Sequence, residues 1–187
     1  MHFNTYGGNA AQLAAVLANL DDDADARRIE QVLSTHLVTR FQLPGDTGHV
    51  QLMTWRRRLR TVFAAPTTAE KIHVVNGLLA EATARPFIST HDGQPPHLHF
   101  ADEHTDVVTR VKATTAAGLA MVLAEAGPQR LGRCTAPGCH TVFVDVSRNG
   151  RRTYCTPTCA TRVNVAAHRA RSGPGGPHPR ASARMVG

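Results

Sequence analysis

Apolar side chains recur at helical spacing through most of the first 126 residues, and turn signals divide this pattern into segments. The periodicity predicts five helices, each with one face in a hydrophobic core. They are expected at residues 10–20, 29–37, 46–63, 67–82 and 105–126. Gly127 and Pro128 form a stop signal after the last helix, so we place a domain boundary there.

A β-hairpin is predicted between the fourth and fifth helices. Residues 87–90 and 97–100 are short β-prone runs on either side of a region that contains Asp-Gly and Pro-Pro. Because side chains alternate along a strand, Leu98 and Phe100 are expected to face the core, with His97 and His99 exposed on the opposite face. The predicted fold class is therefore α+β, with a mainly helical N-terminal domain that contains this hairpin.

All four cysteines lie near the C-terminal end of the chain. They form two close pairs, Cys134 with Cys139 and Cys155 with Cys159, and fifteen residues lie between the pairs. In a cytoplasmic protein this spacing is typical of a structural metal site rather than of disulfides. Four thiolates suit zinc, which takes soft tetrahedral ligands, and they leave no position for a catalytic water. We therefore predict one structural Zn²⁺, with His140 and His168 as surface residues outside the site.

The residues around the cysteines predict the scaffold of the site. A Pro-Gly turn lies between the first two cysteines, and residues 141–145 are β-prone with Val142 and Val144 on one side. Asn149-Gly150 predicts a type I′ turn into a second strand at residues 151–155. A Thr-Pro pair then predicts a helix whose first turn contains Cys159. Knuckle, hairpin and helix in this order are typical of a treble-clef zinc finger.

Charge divides the chain into two unequal parts. Residues 1–129 carry 11 basic and 13 acidic side chains, a net charge of −2, whereas residues 130–187 carry 10 arginines and the single acid Asp145, a net charge of +9. A basic end on a nearly neutral body indicates a module that binds a polyanion. With 42% hydrophobic and 19% charged residues, the composition is that of a soluble globular protein. We expect a cytoplasmic protein that does not enter membranes.

Residues 133–162 resemble the CGNR-type zinc finger of bacterial regulators. The resemblance rests on Arg133-Cys134, Cys139, the run from Phe143 to Arg152, Tyr154-Cys155, and Cys159 to Arg162. The tetrapeptide that names the family stands here as Cys159-Ala160-Thr161-Arg162. The layout of helices, hairpin, long helix and finger is similar to that of proteins in which an ABATE domain precedes the finger. The resemblance implies an ABATE-like domain at 1–128, a finger at 129–172 and a transcription regulator, linked to stress, that binds DNA.

Arginines supply the candidate contacts to double-stranded DNA. We assign Arg148, Arg151 and Arg152 on the hairpin to phosphates. Arg162 and Arg169 are seven residues apart, hence on one stripe of the predicted helix, and are assigned to base edges. The face expected to pack on the hairpin consists of Val163, Ala166, Ala167 and Ala170. Residues 173–187, which begin with a Gly- and Pro-rich run, are predicted to be a disordered tail.

Two other functions stay open at this point. A protein-interaction module that zinc stabilises, and that does not bind DNA, would use its arginines to bind an acidic protein. An enzyme would place a catalytic metal at the histidines and acids between residues 91 and 106, which are His91, Asp92, His97, His99, Asp102, Glu103, His104 and Asp106. We expect no enzyme, because the chain carries no nucleophile elbow, P-loop or dinucleotide fingerprint. A homodimer, and a small-molecule effector of the N-terminal domain, stay open as further partners.

Overall fold

The structure is a computed structural model. It describes residues 5–36, 43, 45–82, 85–90, 95–102 and 104–172. The tail predicted at 173–187 lies outside the described residues, as do His91, Asp92 and Glu103. The described part contains both helices and two small two-stranded sheets, so the predicted α+β class is confirmed.

Six α-helices make up most of the described chain. They are α1 (Thr5–Ala18), α2 (Ala26–His36), α3 (Gly45–Ala64), α4 (Thr68–Glu81), α5 (Val107–Met121) and α6 (Pro157–Ser172). α5 continues as a π-helical turn (Val122–Ala126) and a short 3-10 turn (Pro128–Arg130). The five predicted N-terminal helices are confirmed, although α1 begins five residues earlier than expected.

Local signals account for several helix ends. Thr67 caps α4 through a capping box, in which its hydroxyl accepts from the Glu70 amide while the Glu70 carboxylate accepts from the Thr67 amide. Asp106 caps α5 by accepting a 3.0 Å hydrogen bond from the Thr109 amide. The long helical run ends at Gly127, whose φ of 92° lies in the left-handed region that favours glycine.

The core lies where α5 packs between α1 and α4. Gly118 makes the closest approach, because a Cβ there would lie 2.5 Å from the Ala11 amide nitrogen. Trp55 of α3 is fully buried beside them and donates a 2.9 Å hydrogen bond to the Thr115 hydroxyl. Among the described helices, Val107–Ala126 is long and apolar enough to cross a membrane by length and composition, yet 56% of that window is buried inside the fold. Its apolar side chains therefore form part of the core.

The predicted hairpin is present, but Leu98 is exposed and Phe100 is only half-buried, so this face does not enter the core as expected. Strand β1 (Phe87–Ser89) pairs antiparallel with β2 (His97–His99), with Ile88 opposite Leu98. Ile88 is 72% exposed and Leu98 40% exposed, whereas His97 and His99 are half-buried. The expectation that Leu98 faces the core is therefore wrong. The helices already fill the core, so the hairpin lies at its edge with this pair outward.

A second sheet links the cysteine segment to the helices. Strand β3 (Leu131–Arg133) pairs antiparallel with β4 (Val142–Val144). Leu131, Val142 and Val144 belong to the same core as the helices, while Phe143 faces the cysteines. The side chain of Asn19, just beyond α1, continues the ladder by donating to the Val142 carbonyl and accepting from its amide, each at 2.8 Å. One face of this sheet is therefore part of the helical core.

The predicted pairing of β4 with residues 151–155 is wrong. β4 pairs with β3, and residues 151–155 form no strand. Gly150 does turn the chain, with a φ of 62°. The returning chain forms no ladder with β4. It is held by the Asp145 carboxylate, which accepts from the amides of Ser147 (2.9 Å) and Arg152 (2.8 Å), and by a 3.0 Å hydrogen bond from the Thr135 amide to the Thr153 carbonyl.

Candidate metal centre

The fold brings all four cysteine sulfurs together. Cys134 and Cys139 are the first and last residues of segment 134–139, which lies in the loop between β3 and β4 and which we call the knuckle. Cys155 lies just before α6, and Cys159 lies in its first turn. The four Sγ atoms are all within 4.8 Å of one another, and this is the metal-binding group found among the described residues.

The spacing of the sulfurs fits one tetrahedral ion. Zn–S bonds of about 2.3 Å at the tetrahedral angle place neighbouring sulfurs about 3.8 Å apart. The Sγ atom of Cys155 is 3.7 Å from that of Cys139 and 3.7 Å from that of Cys159. A disulfide would require an Sγ–Sγ distance of about 2.05 Å, and none of the four cysteines forms one. The donor set therefore fits zinc in a closed, structural site without a position for water.

Backbone turns position each ligand. In the knuckle, the Cys139 amide donates to the Ala136 carbonyl at 2.9 Å, and Gly138 adopts a φ of 74°. The Cys134 amide donates to the Thr141 carbonyl at 2.9 Å, which closes the loop across the strands. These hydrogen bonds direct both thiols of the first pair to the same point.

The helix supplies the last ligand from its first turn. The Thr156 hydroxyl accepts a 3.2 Å hydrogen bond from the Cys159 amide, as expected for a cap three residues before it. Pro157 begins α6. The capping hydrogen bond and the proline fix the start of α6, and with it the position of the Cys159 sulfur.

The protein environment has opposite effects on two of the thiols. The Thr141 hydroxyl lies 3.4 Å from the Cys139 sulfur, and hydrogen bonding to the thiolate lowers the pKa of Cys139 to about 6. Burial raises the pKa of Cys155 to about 12. Zinc binds thiolates and displaces their protons, so coordination offsets the burial that opposes ionisation of Cys155.

Asp145 is the main support of the loop between β4 and the second pair of cysteines. Its side chain is fully buried, and burial alone would raise its pKa, but the hydrogen bonds from Ser147 and Arg152 outweigh this and lower it. The guanidinium of Arg130 donates to the carbonyls of Asp145 and Ser147 on the other side of the turn. The sequence analysis did not assign this role to Asp145. The bond to the Ser147 amide, two residues ahead, is the local pattern that aspartate forms in turns.

Two of the predicted DNA-binding arginines are bound to the protein itself. Arg152 donates to the Tyr154 carbonyl at 2.8 Å and stacks on the Phe143 ring, 4.8 Å from its centroid. Arg162 donates to the Pro137 carbonyl at 3.2 Å and thereby ties α6 to the knuckle. Both side chains therefore help to build the metal-binding segment.

All five candidate arginines are exposed, including Arg152 and Arg162. Arg148 and Arg151 are exposed near the turn after β4, and Arg169 is exposed on α6. Arg171, which sequence reasoning did not single out, is exposed in the last turn of the same helix.

The predicted packing face of α6 is wrong for three of its four residues. Val163 is half-buried and packs against the cysteine cluster, but Ala166, Ala167 and Ala170 are exposed, and α6 contains no buried residue. The later turns of α6 are therefore exposed to solvent.

The two histidines near the cysteines lie outside the metal-binding group. His140 is exposed, and its Nδ1 lies 2.6 Å from the Arg133 guanidinium. His168 is exposed on α6, three turns into the helix. Among the described residues, the metal-binding group consists of the four cysteine sulfurs and includes neither histidine, as the sequence predicts.

Comparison with known proteins agrees with this geometry. Residues 130–172 match the family model of the CGNR zinc finger, and the match includes all four cysteines. A search of curated proteins gave no match for the chain. Residues 130–172, called the finger below, are therefore a CGNR zinc finger with four cysteines placed for one structural zinc ion.

Proposed function

We propose that this chain is a zinc-dependent transcription regulator that binds double-stranded DNA through the finger. Residues 1–128 would be an ABATE-like domain and the finger a treble clef. Support for the treble clef comes from the chain order of strand, knuckle, strand, loop and helix, with one ligand in the first helical turn. The four thiolates fill a zinc coordination sphere, which supports a structural rather than an enzymatic role.

The observation that carries the proposal is the charge of the exposed finger surface. The finger has eight arginines and one acid, and this acid, Asp145, is fully buried. Even with a formal charge of −2 on a zinc ion bound by four thiolates, the finger keeps a net charge of +5. A surface this basic attracts a polyanion, and phosphate contacts supply most of the affinity in protein–DNA complexes.

The geometry supports different roles for the five arginines first assigned to DNA. Arg148, Arg151 and Arg169 are the exposed contacts in our proposal, and Arg171 adds a fourth. Arg152 and Arg162 act as positioning residues, since their guanidinium groups bond to carbonyls of the finger. α6 is the recognition element, because an α-helix fits the major groove and this one is exposed beyond its first turns.

Fluorescence anisotropy with a labelled DNA duplex at several salt concentrations tests the proposal. We expect binding by the zinc-loaded chain to weaken steeply with salt. In the triple variant Arg148→Ala, Arg151→Ala, Arg169→Ala, the loss of the two phosphate contacts of Arg148 and Arg151 should reduce the slope of log K against log salt by about 2, and the loss of Arg169 from the recognition helix should weaken binding further. The matched control is Arg27→Ala with Arg28→Ala, which removes exposed arginines of α2 and should bind as wild type does.

Two results would overturn DNA binding. One is the absence of measurable, salt-sensitive binding by the wild-type chain, and the other is equal binding by the triple variant. Either result would favour the alternative of a zinc-stapled protein-interaction module. The apolar surface of α6, which includes the 42% exposed Val165, would then be the contact surface for a protein.

The partners of the N-terminal part are also proposals. A cleft of about 620 Å³ lies between α3 and the finger, and its lining includes Asp21, Arg57, Arg60, His140 and Thr141. A small-molecule effector bound there would contact both parts of the chain. One finger contacts few base pairs, and a dimer doubles the contact with DNA. We therefore also propose a homodimer, which sedimentation velocity would detect.

A further inference from the structure

The cleft between α3 and the finger has two arginines on one wall. It lies where three segments meet, which are the loop after α1, one face of α3 and the two residues that follow the knuckle. Its volume of about 620 Å³ is in the range of small-molecule sites. Arg57 and Arg60 are three positions apart on α3, so their side chains are neighbours on the face that lines the cleft.

The protein holds the guanidinium of Arg60 in place. One of its nitrogens donates to the Ala18 carbonyl at the end of α1 at 3.0 Å, and another donates to the His140 carbonyl at 3.1 Å. These bonds use two of the five N–H donors of a guanidinium, and the others have no hydrogen-bond partner within the described part of the chain. A fixed, planar fork of donors suits the oxygens of a carboxylate or a phosphate.

The finger adds a neutral donor to the lining. His140 lines the cleft, and its Nδ1 lies 2.6 Å from a guanidinium nitrogen of Arg133. A guanidinium only donates, so Nδ1 accepts and Nε2 of the neutral ring carries the hydrogen. An anion in the cleft can therefore accept hydrogen bonds from α3 and from the finger.

The charge of the lining favours one kind of anion. Three arginines and two aspartates line the cleft, which gives a net charge of +1. Asp22 is paired with the buried Arg56 at 2.7 Å, and the hydrogen bond in this pair is the main cause of the lowered pKa of Asp22. Arg57 and Arg60 then face one further acid, Asp21. A carboxylate, with a charge of −1, balances this lining, whereas a phosphate monoester carries about 1.5 to 2 negative charges at neutral pH.

The same cleft has an apolar part, because Leu20 and Ala64 also line it. We propose that the cleft binds a small carboxylic acid, with the carboxylate on Arg57 and Arg60 and an apolar body against Leu20 and Ala64. This inference rests on the small-molecule effector of the proposed function and gives it a chemical class. Since Arg60 also bonds to His140, the residue after a zinc ligand, the acid would bind at a contact that joins the helices to the finger.

Benzoate and benzamide are matched probes, because both carry a phenyl ring and only benzoate is charged. We expect benzoate, added at constant ionic strength to the zinc-loaded full-length chain, to cause saturable shifts of the backbone amide NMR signals of residues 57, 60, 140 and 141. Benzamide should shift them far less. Arg57→Ala should weaken benzoate binding about fivefold, since a charge-assisted hydrogen bond is lost. Arg27→Ala, which removes an exposed arginine of α2, is the matched control and should bind benzoate as wild type does.

A second variant and a second anion test the charge argument. Inorganic phosphate should bind the wild-type chain more weakly than benzoate does, and Asp21→Asn should strengthen the binding of both. Three results would overturn the proposal: equal shifts with benzoate and benzamide, tighter binding of phosphate than of benzoate by the wild-type chain, or no benzoate shift at the residues of the cleft. The titration contains no DNA, so its failure is distinct from a failure of DNA binding, which the anisotropy measurement tests without any added acid.

Discussion

At the scale of single residues, the buried carboxylate of Asp145 organises the finger. It accepts two backbone hydrogen bonds, from Ser147 and Arg152, on the segment that leads to the second pair of cysteines. Both hydrogen bonds are partly buried, so water replaces them only in part when the acceptor is lost, and their loss is costly. The position of Cys155 and Cys159 therefore depends on a residue that binds no metal.

Replacing this carboxylate should destabilise the zinc-loaded protein. We expect Asp145→Ala to lower the free energy of unfolding by about 1 to 3 kcal/mol, since two amides lose their acceptor. Asp23→Ala, at an exposed acid of the loop after α1, should change it by less than about 0.5 kcal/mol. Urea unfolding at neutral pH measures both, and similar values for the two variants would refute this role of Asp145.

The four metal ligands could be predicted from the sequence, but the hydrogen bonds that hold the surrounding loops in place could not. Metal ligands are recognised by local spacing, and two close pairs of cysteines are enough. The Asp145 hydrogen bonds depend on the path of the loop, and those of Asn19 to Val142 join residues 123 positions apart. The roles of Arg152 and Arg162 were missed for the same reason, because a carbonyl that accepts from arginine leaves no pattern in the sequence.

At the scale of elements, the contact between α1 and α5 depends on small residues. Alanines of α1 and Gly118 of α5 let the two backbones approach closely. Helix interiors otherwise disfavour glycine, so its presence within α5 is explained by this packing.

Two glycine-to-alanine variants separate packing from helix propensity. In Gly118→Ala, the new methyl group would overlap the α1 backbone, and we expect a loss of about 1 to 3 kcal/mol in the free energy of unfolding. In Gly77→Ala, the nearest atom to the methyl group is at 3.6 Å, so helix propensity should stabilise the protein by about 0.5 to 1 kcal/mol. Thermal unfolding measures the stability of both variants. Changes of the same sign in the free energy of unfolding would count against this packing.

The cap of α5 should make stability depend on pH. Partial burial raises the pKa of Asp106, but hydrogen bonds from Thr109 outweigh it and the pKa is lowered. A depressed carboxyl pKa contributes stability that is complete above the ordinary value of about 3.9 and is lost as pH falls through the folded-state value. Asp106→Asn keeps a capping side chain that does not titrate.

Urea unfolding of both proteins across pH measures this effect. The difference in free energy of unfolding between wild type and Asp106→Asn should be constant from about pH 7 to 5 and should change in favour of the variant below about pH 4. If the difference in free energy of unfolding between the two proteins does not change at low pH, the ionised form of Asp106 contributes nothing to stability.

Helices could be predicted from the sequence better than strand pairing. Periodicity and capping residues are local, so α2 and α4 lie within a few residues of their predicted limits. The pairing of β4 was wrong because a strong turn signal at Asn149-Gly150 competes with a more distant strand, β3. The orientation of Leu98 was wrong because alternation shows which residues share a face, not which face is covered.

At the scale of the whole molecule, zinc and the helical core are coupled. One face of the β3–β4 sheet lies in the core of the helices, and the knuckle connects the same two strands. Lys71 of α4 adds a link, since its ammonium donates to the carbonyls of Pro128 and Leu131 at 3.2 and 2.8 Å. Loss of the metal should therefore affect the N-terminal helices.

Trp55 reports on this coupling, because it is the single tryptophan of the chain and lies in the helical core. We expect a zinc chelator to lower the midpoint of thermal unfolding followed by Trp55 fluorescence, and zinc to restore it. A calcium chelator without strong zinc affinity is the control. An unchanged Trp55 transition after complete zinc removal would mean that the two parts unfold independently.

X-ray absorption at the zinc edge of the full-length chain, loaded with one equivalent of zinc, tests the four-cysteine site directly. We expect four sulfur neighbours at about 2.3 Å, with a sulfur lost in each single Cys→Ser variant of residues 134, 139, 155 and 159. Nitrogen or oxygen neighbours in place of any of the four sulfurs in the wild-type chain would contradict it.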